Sequence, residues 1–551
     1  MKRKAVAALA ANLAVFLLLL AITVVLQIKT HAYQRDLSTY GDEAPHYLNS
    51  LVIRDYLVKG LGTNPMVFAL RYYAAYPKIA LFVWPPLFHA VLGLFMVIAG
   101  TGVGRAMVFI ALCSAGVAFT LFRILRRAGE TWPVALAPPV LLTLLSITQH
   151  LSAVMMLDCA LALVTLLFVI RTAAFLEKPD FKNALWFAFA AAAGCLIKGN
   201  GVANLAALPF AIVILRRWDI LRRWQLYAAA AIIAVLSVIP LAIAFAWLRE
   251  NSIFTPLTGA LIARALRIYL GEQLGWLGLV GLGAGLLGLA LGGVRWLPNR
   301  GEPAALRTLA VVMLGCVLTI VGFHLASLHS VPDSRYLYPA VPCMFFFLPE
   351  IGRWLARRTG RAWAAPVALW VIVAAFLAVD FHVDAERPAG YRRLVADLRR
   401  LNPGPLRVLV FANDRGEGAF VVEVADSDPG RRDCVIRSTK LMMISDWHSY
   451  HYKMLDTDPV ELTGRIERLG IQYLVLDHEM VRLDELNRLI RGVLAIGPGR
   501  VRPVLDFPAD ADHTDHLEVF QFLQSANPPA ERLELTFPFA KAIVGDRKIY
   551  Q

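Results

Sequence analysis

Tyr40-Gly-Asp-Glu-Ala-Pro-His-Tyr47 follows closely on an apolar run that opens after Met1-Lys-Arg-Lys4 and extends to Leu26. A run of about twenty apolar residues is long enough to cross a bilayer. No small-residue cleavage site follows it, so an uncleaved first helix is expected rather than a signal peptide. Two adjacent carboxylates just beyond such a helix put ionisable side chains at a membrane surface. The rest of the chain repeats the pattern, with eleven apolar runs at 5–27, 106–122, 131–150, 157–176, 183–197, 201–215, 225–247, 273–294, 308–328, 335–350 and 363–380. The expected fold is a polytopic α-helical membrane protein of about 11 transmembrane helices plus an interfacial or re-entrant segment, followed by a C-terminal soluble α/β domain.

Composition excludes an ordinary soluble protein. Hydrophobic residues make up 58% of the chain and charged residues 17%, with mean hydropathy +0.57. The net charge of +14 does not imply nucleic acid, because Lys and Arg cluster between apolar runs, where they orient helices and meet anionic headgroups. Five of the six cysteines lie in or beside apolar segments, Cys434 stands in the polar tail, and no CxxC spacing occurs. Disulfides and thiolate metal sites are not expected.

Basic clusters fall at 123–127, 216–223, 295–307 and 353–361. With the basic N-terminus inside, all four belong inside. A further apolar stretch, 81–100, contains Trp84-Pro-Pro-Leu-Phe-His89 and leaves through Gly100-Thr-Gly-Val-Gly104. Were it to span, every later cluster would invert, so it is expected to lie in the interface or re-enter. This arrangement brings Asp42, Glu43, Asp158, Lys198, the 249–276 segment and Arg335 to one outer face.

From Asp384 the composition becomes that of a soluble domain. The division expected is 1–383 for the membrane part, with 28–105 as its first external loop, and 384–551 for an extracytoplasmic α/β domain. The 406–411 and 471–476 runs read as buried strands and 459–469 as the helix between them. Asn413-Asp-Arg-Gly-Glu-Gly418 follows the first strand as a polar turn without a phosphate-loop spacing, although ligands bind at such strand ends. Asp446-Trp-His448 and His451 read as surface residues.

Several side chains are candidates for chemistry. Asp42 and Glu43 point roughly 100° apart on a helix, so one suits a general base and the other a partner or a divalent ion. Asp158 opens an apolar run, where a charge at the helix centre costs about 2.5–3.5 kcal/mol. Lys198 lies in a Gly-rich hairpin and Arg335 offers a forked donor, both suited to phosphate. Lys78, His89, Arg264 and Arg267 are further candidates for the same anionic group.

The ordered set Tyr40-Gly-Asp-Glu-Ala-Pro-His-Tyr47, Trp84-Pro-Pro-Leu-Phe-His89, Leu157-Asp-Cys-Ala-Leu161, Leu196-Ile-Lys-Gly199 and Ser334-Arg-Tyr-Leu-Tyr-Pro339 resembles C-type membrane glycosyltransferases over residues 1–380. The likeness is to the protein O-mannosyltransferase and lipid A aminoarabinose transferase branch. It implies a polyprenyl-phosphate sugar donor, transfer with inversion, and Asp42 as the catalytic base, with Glu43 and Asp158 as further catalytic carboxylates. It further implies Lys198, Arg335 and Lys78 at the donor phosphate and His46, His89, Tyr336, Arg264 and Arg267 at the substrate. Trp84 stands where the aminoarabinose branch carries a lysine, which passes phosphate pairing to Lys78 or Lys198. The soluble tail does not match the lumenal domain of the mannosyltransferases.

The expected partners are therefore a polyprenyl-phosphate-linked sugar, a glycan, lipid or protein acceptor, and membrane lipids, with no nucleic acid. A divalent metal ion at Asp42 and Asp158 is the only cofactor considered, and no nucleotide is expected. The place is the inner (plasma) membrane, multi-pass, with site and tail extracytoplasmic. A polytopic transporter or lipid flippase is the alternative, although no internal repeat is apparent.

Overall fold

The computed structural model describes residues 2–250, 258–297, 303–326, 333–445, 452–478, 484–510, 513–536 and 548–551. The Asp446-Trp-His448 and His451 reading lies outside them, as does part of the 249–276 segment. The described chain forms two compact units. One comprises Met1–Thr30, Trp84–Phe88 and Met107–Ala385, the other His31–Val83, His89–Ala106 and Glu386–Gln551.

The first unit is helical and apolar, as a polytopic membrane protein requires. Among the described residues, six helices are long and apolar enough to span: Val6–Lys29, Val103–Arg127, Asp158–Glu177, Trp224–Ala246, Gly259–Trp296 and Ala304–Ala326. The 131–150 run is not one straight helix but the pair Trp132–Leu144 and Ser146–Ala153, bent by 60°. The 183–197, 201–215 and 363–380 runs form shorter apolar helices. The expected 335–350 span is broken into a 3-10 turn at Ser334–Leu337, the helix Ala340–Phe345 and a new helix Pro349–Thr359. Pro339 and Pro349 stand where the two helices begin and, lacking an N–H donor, mark the breaks. In the 81–100 stretch only Leu87–Ala99 is helical, 13 residues, or about 20 Å against a hydrocarbon core of about 30 Å.

Gly278 interrupts the Gly259–Trp296 helix with φ +71°. The carboxylate of Asp380 accepts the N–H groups of Leu279 at 3.1 Å and Val280 at 2.7 Å. It thereby supplies a cap to a helix start in the middle of the apolar run. A second polar cluster gathers the basic loops. Glu350 accepts from Arg295 at 3.1 Å, Arg353 at 2.8 Å and Trp296 Nε1 at 2.8 Å, and Arg353 also pairs with Glu130. The clusters assigned to one membrane side by charge parity thus meet in space at 295 and 353.

The second unit holds a five-stranded sheet. The strands are β1 (Arg407–Phe411), β2 (Cys434–Arg437), β3 (Met443–Ser445), β4 (Tyr452–Met454), β5 (Tyr473–Asp477), β6 (Val501–Phe507), β7 (Leu517–Phe522), β8 (Glu534–Thr536) and β9 (Lys548–Tyr550). The main sheet runs β2-β1-β5-β7-β6, while β3-β4 and β8-β9 form two separate ribbons. Strands β2, β1 and β5 are parallel, and β7 adds antiparallel to both β5 and β6. The expected strands and the Pro459–Arg468 helix are present.

This unit takes in 31–83 together with the tail, which composition alone had divided at 383. Specific polar bonds join the two stretches. Asp36 accepts the N–H groups of Gly390 at 2.7 Å and Tyr391 at 3.0 Å. Tyr47 donates to Asp426 at 2.6 Å, Tyr76 to Asp428 at 2.9 Å, and Arg431 to Asp55 at 2.6 Å.

Gly278→Ala tests the capped break. A Cβ there would stand 2.4 Å from Asp380 Cγ, in a backbone region L-residues avoid. That sparsely allowed, glycine-favouring backbone region alone costs about 1–3 kcal/mol. Thermal unfolding in detergent should therefore show a lower midpoint for Gly278→Ala, whereas Gly283→Ala, with open space around it, should leave it unchanged.

Candidate functional site

Asp158 opens its helix with 0% exposure. Lys198 Nζ lies 2.7 Å from Asp158 Oδ1, and the lysine side chain is itself only 12% exposed. The other oxygen, Asp158 Oδ2, has no hydrogen-bond donor among the described residues. Lys198 is delivered by a tight hairpin. It ends the Phe181–Ile197 helix in an extended conformation and is followed by the 3-10 segment Gly199–Ala206. A Cβ on Gly201 would fall 2.2 Å from the carbonyl oxygen of Gly194, so only glycine permits this approach. Asn204 then donates to Thr165 Oγ1 at 2.9 Å and fastens the hairpin to the helix that carries Asp158.

Arg335 and Tyr336 join the same cluster. Lys198 Nζ lies 4.5 Å from the Tyr336 ring centre and Arg335 Cζ 5.3 Å from it, both within cation–π range. Arg335 Nε is 2.6 Å from Asp333 Oδ2, while Asp333 Oδ1 accepts the Arg335 N–H at 3.0 Å. The Gly259–Trp296 helix steadies this turn, because Gln273 donates to the Ser334 carbonyl at 3.2 Å and Glu272 accepts the Ser334 N–H at 3.2 Å. Sequence reasoning passed over Asp333 and His324. His324 is buried, stacks on Tyr336 at 5.4 Å between centroids and lies 3.3 Å from Asn200 Nδ2. An ionisable ring within an apolar helix was the signal available. Arg264 and Arg267 are exposed on their helix.

The remaining candidates belong to the second unit. Asp42 stands at the head of the Glu43–Asp55 helix and is half-buried, while Glu43 is 1% exposed. The Glu43 carboxylate accepts the N–H groups of Thr39 at 2.9 Å and Tyr40 at 3.1 Å. That gives the second acid a structural task and separates the two, as their angular offset anticipated. His46 and His89 are buried, with Nδ1 and Nε2 3.1 Å apart and the rings stacked.

Lys78 is buried against Asp414, 2.5 Å from its Oδ1 and 3.0 Å from its backbone carbonyl. Burial pulls the Lys78 ammonium below its ordinary value, and Asp414 opposes that pull. Burial would raise Asp414, but Lys78 and Arg437 outweigh it and hold the carboxyl below its usual range. The Asn413–Gly418 stretch is thus the first turn of a helix, Asp414–Ser427, with Asn413 accepting from the N–H groups of Arg415 and Gly416. Gly418 lets that helix approach Ala44 and Lys78, at 2.9 and 3.0 Å from a notional Cβ.

The neighbourhood of Asp158 does not suit a divalent ion, because a lysine ammonium already occupies one oxygen.

Removing one member of a buried ion pair strands the other, at a cost of about 3–5 kcal/mol. Lys198→Met should lose stability on that scale in detergent unfolding. Lys198→Met combined with Asp158→Leu should recover most of it; a double-variant loss equal to the sum of the two single-variant losses would mean that the pair is not coupled.

No protein-family model matches the chain, and no curated protein matches it. Solved structures do. ArnT from Cupriavidus metallidurans, in a crystal structure bound to undecaprenyl phosphate, is 14% identical, with a TM-score of 0.54 over 91% of this chain and 97% of that one. The apo structure of the same protein gives the same values. At that identity the likeness concerns architecture: the chain has the fold of ArnT, a polytopic membrane protein.

Proposed function

We propose that the chain is a membrane glycosyltransferase that moves a sugar from a polyprenyl-phosphate donor to an acceptor hydroxyl. The observation that carries this reading is the cluster of Lys198 and Arg335 around Tyr336 with the buried carboxylate of Asp158. The shared fold with ArnT, which was crystallised with undecaprenyl phosphate, supports it.

In this scheme the acceptor oxygen attacks the sugar C1 from the face opposite the lipid phosphate. The C1–O bond to phosphate breaks, its electron pair goes to the phosphate oxygen, and the anomeric centre inverts. Lys198 and Arg335 stabilise the added negative charge, the guanidinium through paired N–H donors. Asp158 aims Lys198 through their ion pair, and its Oδ2 is left to accept from a substrate hydroxyl. Asp42 takes the proton of the attacking hydroxyl, since Glu43 is engaged by backbone N–H groups. Tyr336, His46 and His89 help shape the substrate's surroundings, and the chemistry takes place on the extracytoplasmic side. Lys78 serves the architecture of the second unit through Asp414 rather than the phosphate.

The test is purified protein incubated with polyprenyl-phosphate sugars and candidate acceptors, reading out free lipid phosphate. Asp42→Asn should lower kcat by about 10²–10⁴-fold, the range for loss of a general base, while the protein stays folded and inserted. Near-normal turnover in that variant would remove Asp42 as the base. Transbilayer movement of lipid without any release of lipid phosphate would replace the transferase reading with the flippase one.

A further inference from the structure

Strand register alone assembles an unusual group in the sheet domain. Asp477 pairs with Leu517 across β5 and β7, and Asp506 pairs with Glu518 across β6 and β7. One step beyond β5, the His478 N–H donates to the His516 carbonyl at 3.0 Å, so these two histidines are cross-strand neighbours. His516 and Glu518 are two residues apart and share a face, and Asp506 lies opposite Glu518 on that face. Two imidazoles and two carboxylates therefore occupy adjacent positions on three consecutive strands.

The side chains close on one another as the register predicts. The His478 and His516 rings stack with centroids 4.4 Å apart and planes 22° apart. His478 Nε2 contacts Glu518 Oε2, and His516 Nε2 lies 2.8 Å from Asp506 Oδ1. Ligand atoms of His478, His516 and Glu518 all fall within 4.8 Å of one another, the only such group among the described residues.

The charge balance explains what this arrangement favours. Like charges directly opposite across strands destabilise a sheet, and Asp506 and Glu518 stand directly opposite. A divalent cation would neutralise both carboxylates. Two imidazole nitrogens and a carboxylate form the donor set that holds zinc at about 2.0–2.2 Å, and imidazole selects zinc-like ions over magnesium or calcium. A further carboxylate on a ligating histidine, as Asp506 is on His516, fixes ring orientation and raises basicity.

We propose that His478, His516 and Glu518, with Asp506 orienting His516, bind a divalent transition-metal ion of the zinc type. The ion ties together β5, β7 and β6, the antiparallel half of the sheet. This site is independent of the transferase reading, and its failure would leave that reading untouched.

The experiment uses the full-length chain in detergent, stripped with chelator and titrated calorimetrically with Zn²⁺ and, separately, with Mg²⁺. One Zn²⁺ should bind per chain and raise the unfolding temperature, with Mg²⁺ far weaker. Glu518→Gln, which preserves shape, should weaken Zn²⁺ binding more than about tenfold, and Asp506→Asn by about 10–100-fold. His478→Ala with His516→Ala should abolish the bound equivalent while lipid-phosphate release continues. Absence of stoichiometric Zn²⁺ binding overturns the proposal, as does unchanged binding in Glu518→Gln or in the double histidine variant.

Discussion

A carboxylate sealed at the head of an apolar helix constrains everything near it. Asp158 has no exposure, and removing a charge from water costs several kcal/mol even after relaxation. Lys198 at 2.7 Å offsets that cost, but a lysine must be brought there. The Gly194–Gly201 approach, the 3-10 turn after it and the Asn204 bond to Thr165 are what bring it. An apolar pair of similar volume would be as stable or more so, so stability alone does not explain why the charges stand here. Their proximity to a second cation on the same aromatic ring fits an anion-handling role.

Polar groups in the helical unit fall into two sets. One is built on Asp158, Lys198, Asp333 and Arg335; the other on Glu130, Arg295, Glu350 and Arg353. The Gly259–Trp296 helix touches both, through Gln273 to Ser334 and through Arg295 to Glu350, and roughly 30 Å of helix separates these contacts. Charge parity along the sequence expects Arg295 and Arg353 on one side and Asp158, Lys198 and Arg335 on the other.

The second unit shows a different use of charge. Asp36 caps the start of the Tyr391–Leu401 helix, Asp55 takes Arg431, and Lys78 takes Asp414. Each joins residues more than three hundred positions apart, so the 31–83 segment is held by the tail's own helices. The helix that begins after Asp42 lies against the Asp414–Ser427 helix where Gly418 meets Ala44. The tail thus grips the segment that bears Asp42 and Glu43.

Hydropathy and charge sufficed for the polytopic class, for most helices and for the β1 and β5 strands, because apolar runs and loop arginines are local signals. They also brought Asp158, Lys198 and Arg335 forward as candidates. They did not reveal the break at Gly278, whose cap comes from Asp380, or the dissolution of the 335–350 span at its prolines. Nor did they reveal that His324 and Asp333 belong with Arg335, that Glu43 and Lys78 are engaged within their own unit, or that the chain divides across its composition boundary. Each of those depends on partners distant in sequence. Side-chain pairing and burial decide them, and no periodicity along the chain encodes which distant partner a buried charge will find.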